Sequence, residues 1–334
     1  MAKERLLYID VAKGILILFL LMGHALLFIK NEGINDGFIN GFQHARLYSW
    51  TSYYMPAFFV ITGFCSNFTK PFPTFIWQNF KTLKIPAMIF GTFLALVTMA
   101  SHHTFSFQRI FNHVTFCAFE SGLWFLDALF IAKVIYWVLL KFISNRMLLF
   151  LACFPVFLLG FILFKNNIPH KDYGNICHAL MMTIFLFVGQ QLKIMQMTLL
   201  KKTIAGGVVF LAILLLTVFL DTDIPFITNK ISLDWKNLIP FFILSISGSV
   251  TVMGVSHFIG KSRWLEYIGK NSLVFYMFNT IALNISVKFL VQFIRMGAPS
   301  IIVYISILIV TCLILSVLTK VLNTKYLCFS LGKF

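Results

Sequence analysis

Ten apolar runs, each 17 to 24 residues long, fill most of this chain and leave little room for any other architecture. They fall at about 8–29, 48–68, 85–101, 122–141, 147–164, 176–192, 203–220, 238–259, 271–294 and 299–322. A bilayer core of about 30 Å takes about 20 apolar residues per helix, whereas barrel strands need about half that. Backbone groups in hydrocarbon must be satisfied within the segment, so runs of this length fold as helices. The expected fold is all-α, a polytopic membrane bundle of about ten transmembrane helices, in one domain covering 1–334. The connections are short, and no internal repeat of the kind that builds transporters stands out. Charged residues make up 11% of the chain, less than half the share of a soluble domain. Lipid is therefore the expected solvent for most of its surface.

The net charge of +16 would suggest nucleic acid in a soluble chain. Its distribution removes that reading. With the first span entered from the cytoplasm, sixteen of the 27 basic residues fall at inside ends and loops, eight fall outside, and Lys13, Lys133 and Lys288 lie in spans. Most acidic residues fall outside. This is the positive-inside pattern, and it predicts a multi-pass protein of the cytoplasmic membrane with both termini inside. The first run carries Asp10 and Lys13 and lacks a small-residue cleavage site, so it is expected to be retained as a helix. Six cysteines sit in or beside apolar runs without CxxC or metal spacing. They are expected to be buried small hydrophobes, and no metal is expected.

The first run also holds the most informative polar residues. Ionisable groups in a span are costly, about 2.5–3.5 kcal/mol each on insertion scales, so they face the bundle interior and mark function. Lys13 and His24 are 11 residues apart, which returns them to within about 20° on a helix and separates them by about 16 Å along its axis. Asp10 lies one turn before Lys13, in pairing range. The three share one face, with Lys13 toward the cytoplasm and His24 in the outer half. Histidine is suited to general-base work near neutral pH. The segment Lys70–Lys84, KPFPTFIWQNFKTLK, reads either as an interfacial helix on anionic headgroups or as a cradle for a phosphate-bearing ligand. Asp127, Lys133, His178, His257 and Lys288 are expected to pack, snorkel or bond between helices.

These elements, taken in order, carry a resemblance. Asp10-Val-Ala-Lys13-Gly14, with ten residues between Lys13 and His24, resembles the Arg/Lys-x10-His signature of the membrane-bound acyltransferase family 3. Met55-Pro56-Ala57-Phe58-Phe59-Val60-Ile61-Thr62-Gly63-Phe64 is similar to that family's second span. Lys81-Thr-Leu-Lys84-Ile-Pro86 looks like its basic-x-x-basic step, Leu123-Trp124-Phe125-Leu126 like its LWFL segment, and Tyr267-Ile-Gly269-Lys270-Asn271-Ser272-Leu273 like its late motif. The branch it most resembles contains the fucose 4-O-acetylase-like enzymes. Two positions depart: Tyr54 and Asn279 stand where many relatives have histidine.

The resemblance implies an O-acyltransferase that moves acetyl from acetyl-CoA to a hydroxyl of a cell-surface or lipid-linked glycan. It implies His24 as the essential histidine and Lys13 as its basic partner. On that basis Asp10 is expected to orient Lys13, and Lys13, Lys81 and Lys84 to hold the anionic end of acetyl-CoA. Trp124 and the aromatics Tyr48, Trp50, Tyr53 and Tyr54 are expected at the sugar, with Glu120 and Arg46 as further acceptor contacts. The partners expected are the glycan, acyl-CoA and membrane lipids. A carrier or flippase for a lipid-linked sugar, with the polar stripe lining its path, is the alternative.

Overall fold

A computed structural model describes residues 6–49, 52–101, 105–108, 110, 111, 123–166, 174–195, 198–219 and 234–333. Every one of the ten apolar runs contains a helix. We label these and the shorter helices in chain order: α1 Leu7–Asn31, α2 Gly37–Ser49, α3 Tyr54–Cys65, α4 Phe72–Asn79, α5 Ile85–Ser101, α6 Trp124–Phe142, α7 Arg146–Lys165 and α8 Gly174–Ile194. They continue with α9 Leu199–Phe219, α10 Leu238–Ile259, α11 Arg263–Lys270, α12 Ser272–Arg295 and α13 Ser300–Leu322. There is no strand among the described residues. Eight described helices are long and apolar enough to cross a membrane. Of the other two runs, α6 carries Asp127, Lys133 and Lys141, and α3 has 12 residues, about 18 Å of helix.

Helix ends follow local chemistry. Asp36 accepts from the backbone N–H groups of Phe38 and Ile39 at the start of α2. Asn145 does the same for Met147 and Leu148 at the start of α7, each satisfying N–H groups that a helix leaves open. Gly297 takes a φ of +92° after α12, a conformation that glycine reaches without strain.

One span begins earlier than its hydropathy suggests. The expected third run started at 85, yet α4, a π-helical turn Phe80–Lys84 and α5 form one continuous helix, Phe72–Ala100, of 29 residues. Lysines 81 and 84 mask it in a hydropathy window. Lys84 is met there by the Asp127 carboxylate, and Lys81 lines a polar cavity, as described below. Lys81 and Lys84 thus leave the tally of the side expected to be inside, where fourteen basic residues still exceed the eight of the side expected to be outside.

Contacts group the chain into two compact units, Met1–Phe58 with Gln196–Val321, and Phe59–Met195 with Leu322–Phe334. In the first, α1 is central: it packs on α10, α11 and α12, while α9 packs on α10. In the second, α8 is central, with α6 and α7 against it, and the turn Phe80–Lys84 lies on α6. Burial matches this. The apolar windows of α1 and α8 are 56% and 72% buried, that of α9 only 6%. Side chains such as Val208, Leu211 and Leu215 on α9 are exposed, as a lipid-facing helix requires.

Both units use the same crossing device. A Cβ on Gly14 would stand 2.3 Å from the carbonyl O of Leu265, and one on Gly269 would stand 1.8 Å from that of Asp10. Helices α1 and α11 therefore touch backbone to backbone through two reciprocal glycines. In the other unit Gly63 meets the Leu186 carbonyl and Gly189 the Val60 carbonyl, where a Cβ would lie 2.1 and 2.0 Å away. Small residues permit such close approach of helices in lipid, where the hydrophobic effect offers little drive.

Candidate active site

The stripe on α1 is where the spacing puts it, on one continuous helix. Asp10 is buried, and Lys13 and His24 are half-buried. Among the described residues no ion pair joins Asp10 to Lys13. Asp10 lies at the glycine crossing instead, its backbone against Gly269. This crossing fixes the first turns of α1 through the backbone.

His24 has a specific partner. Its Nδ1 lies 2.8 Å from Oδ1 of Asn279 on α12. Asn279 is buried, and its Nδ2 donates to the Tyr276 carbonyl. Thr280 Oγ1 lies 3.3 Å from the same Oδ1. The sequence marked Asn279 only as a departure from histidine. Its partner lies 255 residues away, and no local pattern announces such a contact.

The second polar cluster lies in the other unit. Lys84, in the π-turn, forms a salt bridge with Asp127 in the first turn of α6. Asn175 Nδ2, at the start of α8, donates to the other Asp127 oxygen at 3.2 Å. Lys84 and Asp127 are 13% and 4% exposed in their side chains, so the pair is largely desolvated. Lys84, expected at the donor, is held by this carboxylate. Asp127 and Lys133 are six residues apart, about 120° around the helix. They cannot pair with each other, and each had to find its surroundings elsewhere. That was the available signal that neither was a simple packing residue.

Lys133 finds a cavity of about 410 Å³, lined by Ser66, Asn67, Lys70, Phe75, Gln78, Asn79, Lys81, Thr82, Lys133 and Gly332. Three ammonium groups and several amides and hydroxyls make this an anion-receptive chamber. Its lining is held from several sides. Trp137 Nε1 donates to the Lys70 carbonyl at 3.1 Å, and Lys70 Nζ donates to Gln78 at 2.6 Å. Lys81 Nζ lies 4.9 Å from the Trp77 ring centre, and Lys133 Nζ lies 5.9 Å from that of Phe75. The contacts Lys70–Trp137 and Lys84–Asp127 run the helix 72–100 antiparallel to α6. The π-turn between them carries both Lys81 and Lys84, and such turns recur at functional sites. Lys81, expected at the donor, lines the chamber. Lys13 and Lys84 do not, whereas Lys70 and Lys133 do.

The expected acceptor residues are placed as follows. Trp124 is 8% exposed, with the His178 ring 4.6 Å away, centre to centre. Tyr54 is buried in the first turn of α3. Tyr53 is committed to packing: its ring lies edge-on to Phe19 and Phe210 and against Gly248. Trp50 and Glu120 and the side chains of Arg46 and Tyr48 lie outside the described residues. No group of three or more metal-ligating side chains occurs among the described residues.

A bundle of long apolar helices with ionisable residues held inside it defines a multi-pass membrane protein. The chain belongs to acyltransferase family 3: the family model described as an acyltransferase domain matches residues 6–320. This match runs through both compact units and every helix named above as far as α13. Comparisons with curated proteins and with solved structures gave no match.

Proposed function

We propose that this acyltransferase moves an acetyl group from cytoplasmic acetyl-CoA to a hydroxyl of a cell-surface or lipid-linked glycan, with His24 as general base. The protein would sit in the cytoplasmic membrane with both termini inside, as the distribution of basic residues favours. The observation that carries the reading is the bond from His24 to Asn279 inside a family 3 chain. It makes His24 an imidazole with a set orientation on a span, which packing alone does not require.

When bound, acetyl-CoA supplies an activated thioester. The Lys70/Lys81/Lys133 chamber has the charge and the size to receive its phosphate-bearing end, since lysine binds phosphate as a point charge. Lys13, one of the few cations on a span, is assigned to the same donor. His24 takes the proton of the acceptor hydroxyl as its oxygen bonds to the thioester carbonyl carbon. As the C–S bond breaks, the imidazolium returns that proton to the departing thiolate, which restores the neutral base. Trp124 and Tyr54, with Arg46 and Glu120, are assigned to the acceptor. The likeness of the motifs to fucose 4-O-acetylase-like enzymes favours acetyl as the group moved.

The test uses the full-length protein in membranes with radiolabelled acetyl-CoA and an acceptor glycan, alongside mass spectrometry of surface glycan from cells with and without the gene. Wild-type protein should transfer label, and deletion should remove one acetyl mass from the glycan. His24→Ala should lower transfer of label by about 10²- to 10⁴-fold and deplete the acetyl mass from the glycan. Full transfer by His24→Ala would end the base assignment. Glycan translocation without acylation would replace the enzyme with a carrier.

A further inference from the structure

The amide of Asn279 is oriented by chemistry that leaves no freedom. Its Nδ2 donates to the Tyr276 carbonyl, a group that can only accept. A flipped amide would set Oδ1 against that carbonyl oxygen, lone pair to lone pair. Oδ1 must therefore face His24, and the Thr280 hydroxyl adds a second donor to the same oxygen. An amide oxygen is an acceptor only, so the imidazole nitrogen 2.8 Å away must carry the hydrogen. We propose that Asn279 is a positioning residue that holds His24 as its Nδ1–H tautomer, placing the basic lone pair on Nε2. This rests on the reading of His24 as general base.

The choice of an amide has a physical consequence. A carboxylate at this place would fix the same tautomer, but it would also stabilise the imidazolium and hold a charge inside a span. A neutral acceptor orients the ring without trapping the proton it has to release. Asn279 is 4% exposed and its amide is fixed through its own helix, so the ring is aimed by a rigid element.

The experiment compares wild type, Asn279→Asp, Asn279→Ala and His24→Ala in proteoliposomes, recording kcat and KM for acetyl-CoA across pH 5 to 9 (roughly the window in which histidine titrates). The carboxylate of Asn279→Asp keeps an acceptor oxygen and raises the affinity of the ring for its proton. The acidic limb of its kcat/KM profile should move to higher pH by about one unit, with activity recovered on the alkaline side. Asn279→Ala should lose kcat by about 10- to 100-fold with the KM for acetyl-CoA within about twofold. ¹⁵N spectra of histidine-labelled protein, with the His24 signals assigned by their loss in His24→Ala, should show the Nδ1–H form in wild type. An Asn279→Asp profile superimposable on wild type, or an Nε2–H imidazole in the spectrum, overturns the assignment. If His24→Ala remains active, it is the base reading that fails. If His24→Ala is inactive while the Asn279→Asp profile is unmoved, the base stands and Asn279 loses its role.

Discussion

His24 and Lys84 are both ionisable residues kept inside an apolar bundle, and they are held in opposite ways. His24 is met by a neutral amide at 2.8 Å. Lys84 is met by a carboxylate, Asp127, which Asn175 braces from the other side. A desolvated ion pair neutralises two charges that would each be costly alone, and it resists any change in either. A neutral imidazole beside an amide carries no such lock and can gain and lose a proton within a turnover. On the proposed reading the difference separates scaffold from chemistry: the Lys84 cluster fixes the π-turn beside the cationic chamber, and His24 is the residue assigned the proton transfer.

The contrast can be broken in steps, beginning with the largest effect. His24→Ala should lower the transfer rate by about 10²- to 10⁴-fold, the range of a general base, with little change in thermal stability in detergent. Asp127→Ala should do the reverse in kind. It strands Lys84 and should cost about 3–5 kcal/mol, read as a large fall in Tm or in folded yield. The double change Lys84→Met with Asp127→Leu should recover most of that loss. A double variant no more stable than Asp127→Ala would show that the pair is not what holds this region.

The chamber provides a middle-sized test. Lys81→Ala removes one cation from its wall. It should raise the KM for acetyl-CoA by about tenfold or more, the worth of one hydrogen bond to a charged group, while kcat stays within a few-fold. An unchanged KM would take the donor's phosphates elsewhere. The last test is at the helix crossing and is read in stability rather than in rate. Gly269→Ala forces a methyl against the Asp10 backbone carbonyl, which cannot turn aside as a side chain would, and should cost at least about 1–3 kcal/mol through overpacking, measured as a lower Tm. The matching change Gly189→Ala tests the same device in the other unit.

These comparisons also show where the sequence could and could not be read. The resemblance rested on five motifs, and the structure divides their work. Gly14, Gly63 and Gly269 serve backbone contact, so much of the likeness in those segments belongs to packing. Lys81 and Lys84 belong to the π-turn, and Trp124 rests on His178. The stripe Asp10, Lys13 and His24 was legible because a helix repeats every 3.6 residues. The role of Asn279 was not, because the sequence showed only that a histidine was missing there. Lys133, expected to pack, snorkel or bond between helices, lines the chamber. A lone lysine on an apolar helix reads the same way whether its neighbour is headgroup or cavity.

The sequence by itself determined the solvent, the secondary structure and the candidate base, since apolar length and helical period are properties of short stretches of chain. Partnership was decided only in the tertiary structure: His24 with Asn279, Lys84 with Asp127, and Lys133 with Lys70 and Lys81 around one chamber. In lipid a buried polar group must be paired within the protein, and in each of these clusters the counterpart stands on another helix. Which helix lies beside it is fixed by close packing, with partners 43 residues apart for Lys84 and Asp127 and 255 apart for His24 and Asn279, and no local stretch of the chain encodes that neighbour.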